Sequence, residues 1–185
     1  AGDDAVVESM MGAGVDPHLY KPTATDVLRL QRADVIFYNG LLLEGRMTEV
    51  LEKLARAGRR AHAITAALTA EELLQSEDYA GHPDPHVWFD VLKWKRCLDV
   101  VEKGLSEAAP DRAESFRQRA EELRARYDAL HAWALAKVAE LPAEKRVLVT
   151  SHDAYSYFGR AYGFAVVGLQ GISTATEAGL ADVAR

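Results

Sequence analysis

The sequence predicts an α/β fold of two βα lobes with parallel sheets, joined by one long bridging helix. Three observations predict it. Short β-rich runs alternate with helical patterns over the first hundred or so residues. An apolar repeat of three to four residues then runs without interruption through residues 111–141. Beyond Pro142 the alternation of strand and helix patterns resumes.

In order along the chain, residues 5–10, 34–38 and 60–64 have the composition of strands, and residues 23–32 and 45–57 that of helices. Thr23 or Thr25 is placed to cap the first helix, and Gly58 to stop the second. Residues 87–105 form a further helix. In the long helix the apolar positions Phe116, Ala120, Leu123, Tyr127, Leu130, Ala134, Val138 and Leu141 have charged residues between them. At 1.5 Å per residue such a helix extends about 45 Å, longer than one small sheet needs, so it is expected to bridge two lobes. After it come a strand at 146–150, a helix at 153–162, a strand at 164–169 and a helix starting near Ser173. The expected division is therefore residues 1–110 as one lobe, 111–141 as the connecting helix and 142–185 as part of a second lobe. That second lobe is expected to be incomplete, because a doubly wound lobe needs about twice as many elements to cover both faces of its sheet.

Composition narrows the function. With 49% hydrophobic residues and 27% charged, the chain is able to bury a core. A formal net charge of -6, without a basic block interleaved with aromatics, argues against nucleic acid as a partner. The longest apolar runs are strand-sized, far short of the roughly 20 residues that span a bilayer. The single cysteine, Cys97, has no partner for a disulfide or a metal pair, and its neighbours Trp94, Leu98 and Val101 mark it as a core thiol. Ala1 opens the chain without a charged n-region or apolar h-region, so no compartment is legible from a targeting signal.

The candidate chemistry lies in three histidines. Asp-Pro-His occurs twice, at residues 16–18 and 84–86, each time before a helix, and Ser-His-Asp at 151–153 follows the strand ending at Thr150. Ligands of open α/β sheets bind beside the carboxyl ends of strands, where these histidines fall, so His18, His86 and His152 are candidates for one metal site. Proline stiffens the loop that carries each of the first two and lowers the cost of ordering an imidazole. Neutral imidazole suits Zn²⁺ and other first-row ions, with a carboxylate as a fitting fourth group. Asp16, Asp84, Asp90 and Asp153 are placed to orient the rings. The competing assignment is a repeated turn and helix-start signal, since Asp and Pro both begin helices. For His62 in a strand, His131 on the long helix beside Leu130, and His82 before Pro83, a structural role is the better assignment.

The segments GVDPHLYKPTATDV, ADVIFYNGLLLEGRM, DPHVWFDV, RVLVTSHDAYSYFGRAYGF and GLQGISTATEA, in that order, cover nearly the whole chain. Together they resemble the zinc- and manganese-binding solute-binding proteins that feed bacterial ABC importers. The resemblance implies two βα lobes on a single long helix with a Zn²⁺ or Mn²⁺ ion buried between them. It implies metal ligation by His18, His86 and His152, and a monomer that hands its ion to a membrane permease. It further implies a periplasmic location, or one on the outer face of the cytoplasmic membrane. The family's manganese binders commonly carry Glu at the third position, so His152 points to zinc or to dual use. Specialised zinc members carry a His-rich acidic loop before the second ligand, whereas residues 69–83 are short and hold only His82. The family's fourth ligand, an aspartate, is expected beyond Arg185, and its first strand before Ala1.

A zinc hydrolase or hydratase is the rival reading, because three histidines and a water also describe catalytic zinc. It needs a general base, for which Asp153 and Glu44 are the nominees, although Glu44 is more simply a capping residue. A partner surface built on Trp88, Phe89 and Trp94 is a weaker rival, since helical spacing makes them core residues.

Overall fold

A computed structural model describes residues 1–75 and 81–174. They form five α-helices and four strands: α1 (Ala24–Arg32), β1 (Ile36–Tyr38), α2 (Met47–Arg56), β2 (Ala61–Ala63), α3 (Val91–Ala108), α4 (Ala113–Ala139), β3 (Val147–Thr150), α5 (Ser156–Tyr162) and β4 (Ala165–Gly168). The chain divides into two compact units. Ala1–Ala67 with Arg96–Arg124 make the first, and Leu68–Lys95 with Ala125–Arg185 the second, so α3 and α4 each contribute residues to both.

In the first unit β1 and β2 pair in parallel, with Ile36 opposite Ala61, Phe37 opposite His62 and Tyr38 opposite Ala63. Parallel neighbours require a crossover, and α2 supplies it. Its apolar side packs Met47 and Leu51 against Leu30 of α1 and Ile36 of β1 in one buried cluster. Each of these side chains contributes about 1.5–3 kcal/mol by leaving water. Helix α1 starts where expected: the Thr23 hydroxyl accepts from the Asp26 N–H, and the Asp26 carboxylate accepts from the Thr23 N–H, a closed capping box. Gly58 follows the end of α2, as expected.

In the second unit β3 and β4 pair in parallel from Val147 opposite Ala165 to Thr150 opposite Gly168. Helix α5 crosses over between them. Gly159 of α5 lies so near Val166 that a Cβ there would meet the valine methyl at 2.7 Å. Hence α5 covers the sheet face that carries Val166, while Val147, Val149 and Val167 point to the exposed side.

Three elements differ from expectation. Residues 5–10 join no ladder among the described residues, with bends at Ala5 and Met10, and Val6 and Val7 are exposed. β-rich composition alone does not make a strand without a hydrogen-bonding neighbour. The helix expected at 87–105 is split into a 3₁₀ turn, Val87–Phe89, and α3, with Asp90 extended between them. The Asp90 carboxylate causes the split by accepting from Leu92 and Lys93 N–H at the start of α3. Along α4 only Phe116 and Ala120 are buried, while Leu130 and Trp133 are exposed. The helix expected near Ser173 lies outside the described residues.

Candidate metal centre

His86 and His152 meet within the second unit. Asp84, Pro85 and His86 are almost entirely buried, with Asp84 1% and His86 2% exposed. Asp84 Oδ1 accepts from the backbone N–H of His86 at 2.9 Å, a local Asx turn, and lies 2.7 Å from His86 Nδ1. A carboxylate only accepts, so Nδ1 donates to Asp84 and Nε2 is the ring nitrogen turned away from it. Trp88 closes the side of the ring, edge to face at 5.2 Å.

His152 is set by the strand ends. Leu169 N–H donates to the Thr150 carbonyl, Gln170 N–H to Ser151, and Asp153 N–H to Gln170, which ties the Ser-His-Asp loop to the exit of β4. The Thr150 hydroxyl donates to the His152 carbonyl at 2.8 Å. Gly168 makes this closeness possible, because a Cβ there would fall 2.5 Å from the Asp153 Cβ. His152 Nδ1 stands 2.9 Å from the Gly171 carbonyl, so Nδ1 donates there and Nε2 is directed elsewhere.

The two Nε2 atoms face each other at 3.2 Å, with ring centroids 4.9 Å apart. With both Nδ1 atoms donating elsewhere, the two Nε2 atoms are the ring nitrogens that a cation between them would engage. Two imidazoles on a tetrahedral zinc at about 2.0–2.1 Å have their nitrogens about 3.3 Å apart, so the spacing matches shared ligation.

Tyr157 of α5, which sequence reasoning did not single out, supports this pair. Its hydroxyl donates to the Asp84 carbonyl and accepts from Leu74 N–H, both at 3.0 Å, while Asp84 N–H donates to the Leu74 carbonyl at 2.8 Å. Burial pushes the Tyr157 hydroxyl up to about 12, so it remains a donor at any ordinary pH. No pattern in the sequence distinguishes Tyr157 from Tyr155 beside it.

His18 belongs to the first unit and is half-buried. Asp16 Oδ1 accepts its backbone N–H at 2.9 Å, and Tyr20 N–H reaches back to the Pro17 carbonyl. Tyr20 in turn donates its hydroxyl to Asp26, linking this loop to the capping box of α1. Hydrogen bonds from the Thr23 backbone and hydroxyl, and then from Tyr20, hold the Asp26 carboxyl below the usual carboxylate range. Beneath the His18 loop lies the turn after β1, where Gly40, Leu41, Leu42 and Gly45 all have positive φ. Left-handed leucines cost about 1–2 kcal/mol each, so other interactions must hold this turn. The buried Glu44 carboxylate does so, accepting from Asn39 N–H at 2.6 Å and Gly40 N–H at 3.2 Å. Burial raises the Glu44 carboxyl, and these backbone donors oppose the rise.

The remaining candidates have structural surroundings. His62 stacks on Phe37 within the first unit, and His131 Nδ1 meets the Tyr162 hydroxyl at 3.2 Å. Cys97 is buried in the first unit, its thiol pushed by burial up to about 11. Trp88, Phe89 and Trp94 form a half-buried group in contact with one another, beside His86. The Asp90 carboxylate caps α3, and that of Asp153 accepts from the Ser156 hydroxyl.

The chain is thus an α/β protein of parallel βα units, with His152 at the end of β3 facing His86 before the Val87–Phe89 turn. A family model described as zinc-uptake complex component A, periplasmic (ZnuA), matches residues 1–185, and the chain belongs to that family. It is similar to the zinc-binding protein TroA of Treponema pallidum, 46% identical over 183 residues, covering 99% of this chain and 58% of the relative. It is also similar to the manganese-binding lipoprotein MntA of Bacillus subtilis, 43% identical over 182 residues, with 98% and 59% covered. The manganese ABC transporter substrate-binding lipoprotein PsaA of Streptococcus pneumoniae is 30% identical over 181 residues, with 96% and 59% covered. The solved structure of the periplasmic zinc-binding protein TroA superimposes with a TM-score of 0.92, covering 98% of this chain and 64% of that one. The chain thus spans less than two thirds of the length of these relatives.

Proposed function

We propose that this chain captures a divalent transition-metal ion, zinc and/or manganese, outside the cytoplasmic membrane for delivery to an ABC permease. The observation that carries the reading is the pair of Nε2 atoms of His86 and His152 facing at 3.2 Å, with each Nδ1 held by an acceptor of its own. His18 is the third ligand, on the strength of its Asp-Pro-His turn and its place in the family motif. A tetrahedral ion held by three imidazoles retains a fourth position for a carboxylate or a water. The two-lobed organisation belongs to the same reading, with residues 111–141 as the connecting helix. No helix among the described residues is long and apolar enough to cross a membrane. The names of the relatives, periplasmic or lipoprotein, support placement on the outer side.

No bond is made or broken in this role. The two carboxylates nominated as a general base have other work: Glu44 holds its own turn, and Asp153 accepts from Ser156. Zinc should bind more tightly than manganese, because imidazole sites follow the intrinsic order of the divalent ions.

The test is thermal unfolding and titration with Zn²⁺ and Mn²⁺ for the parent, His18→Ala, His86→Ala, His152→Ala and His131→Ala. Free metal about 1,000-fold above Kd should stabilise the parent by about 4 kcal/mol. The three site variants should lose that gain and His131→Ala keep it. A parent whose melting temperature ignores metal would overturn the capture reading.

A further inference from the structure

We infer that Glu44 and Gly45 are positioning residues for the metal ligand His18, forming a preset seat that fixes where its main chain lies. The inference rests on the three-histidine reading above and deepens it.

The seat is assembled within the first unit from the carboxyl ends of β1 and β2. Thr65, just past β2, donates its hydroxyl to the Asn39 carbonyl at 2.6 Å, which ties the end of β1 to the chain leaving β2. Asn39 then donates a side-chain N–H to the Gly40 carbonyl at 3.0 Å. From there the backbone turns through left-handed Gly40, Leu41 and Leu42. Glu44 closes the turn on itself, its carboxylate taking the N–H groups of Asn39 and Gly40. A buried carboxylate that accepts two backbone donors of its own loop fixes that loop in one conformation.

Gly45 is the next residue, and it bears on the ligand loop directly. Its φ is +50°, and a Cβ placed there would fall 2.4 Å from the His18 carbonyl oxygen, 3.1 Å from the His18 carbonyl carbon and 3.4 Å from the Pro17 oxygen. Real side chains do not approach that closely, so the Asp16–His18 turn sits where it does because residue 45 is glycine. Metal affinity falls when the groups that orient a ligand are lost, typically 10–100-fold. A backbone shift forced by a Cβ at Gly45 acts through the same route.

Gly58 provides a matched control. It also has positive φ, at +80°, yet a Cβ there meets nothing within 4 Å. Gly58→Ala therefore carries the backbone strain without the collision.

The experiment measures Zn²⁺ affinity by chelator competition, metal-free melting temperature and histidine ring NMR signals for the parent, Gly45→Ala, Glu44→Gln, Gly58→Ala and His18→Ala. Gly45→Ala should weaken zinc binding about 10-fold or more and move the His18 ring signal in the metal-free protein, with the His131 signal unmoved. Gly58→Ala should bind as the parent does. Glu44→Gln turns an amide donor toward two backbone N–H groups and should weaken binding by a smaller factor with the same His18 shift; it carries the test if Gly45→Ala does not fold. Folded Gly45→Ala and Glu44→Gln proteins that bind zinc within about twofold of the parent would overturn the seat, as would equal losses in Gly45→Ala and Gly58→Ala. Unchanged affinity in His18→Ala would instead sink the three-histidine reading, and the seat with it.

Discussion

The two Asp-Pro-His turns share a sequence and a local fold but are secured in different ways. In each, the aspartate Oδ1 accepts the histidine backbone N–H at 2.9 Å, so the Asx turn follows from three residues alone. At His86 the turn is sunk into the second unit, where the same Asp84 oxygen holds the ring nitrogen and Tyr157 holds the Asp84 carbonyl. At His18 the turn is half-buried and rests by its backbone on Gly45. One histidine is oriented through its ring by a buried carboxylate, the other is seated through its main chain by a glycine contact. A motif repeated in sequence fixes the turn, and the environment fixes what the turn presents.

Removing the aspartate from each copy should break the apparent equivalence most clearly. Asp84→Ala strands a buried backbone N–H and a ring N–H together, and should cost about 3 kcal/mol in denaturant unfolding. Asp16→Ala exposes its loss to water and should cost about 1 kcal/mol. Equal costs would mean that burial does not separate the two turns.

A finer cut is Tyr157→Phe, which keeps the ring and removes only the hydroxyl shared by Leu74 N–H and the Asp84 carbonyl. It should destabilise the protein by about 1–3 kcal/mol and loosen zinc binding, with the loss traceable to the His86 ring signal. An unchanged His86 signal would show that Asp84 needs no support from α5.

The smallest effect concerns the first unit alone. Asp4 is bonded by Arg119, Ser115 and Arg112, which hold its carboxyl well below the ordinary value of 3.8. A carboxyl lowered in the folded state stabilises above its unfolded value, and that stabilisation is lost as pH falls through the folded value. Asp4→Asn should therefore lower the melting temperature slightly near neutral pH, and the gap from the parent should close in strong acid. A gap that widens on acidification would contradict the assignment. As the partners of Asp4 lie at and just before the start of α4, zinc affinity should not change.

Much of this protein was legible from its residues because the signals are local. Alternating strand and helix patterns gave β1, β2, β3 and β4 and the helices between them, to within a few residues at each end. The Thr23 capping box and Gly58 after α2 lie where residue type places them, since capping is settled within one helical turn. The two Asp-Pro-His turns were legible for the same reason. Residues 5–10 and the break at Asp90 were not, because pairing a strand needs a distant neighbour and a cap competes with helix propagation only in context.

By itself, then, the sequence determined most of the elements and the two Asp-Pro-His turns. Tertiary structure decided that Tyr157 braces the Asp84 turn, and that Gly45 and Gly168 make room for the loops that carry histidine. These last are matters of distances between segments far apart in the chain. The hydrogen bond of 3.0 Å from Tyr157 to the Asp84 carbonyl, or a contact that only a missing Cβ permits, has no local pattern to announce it.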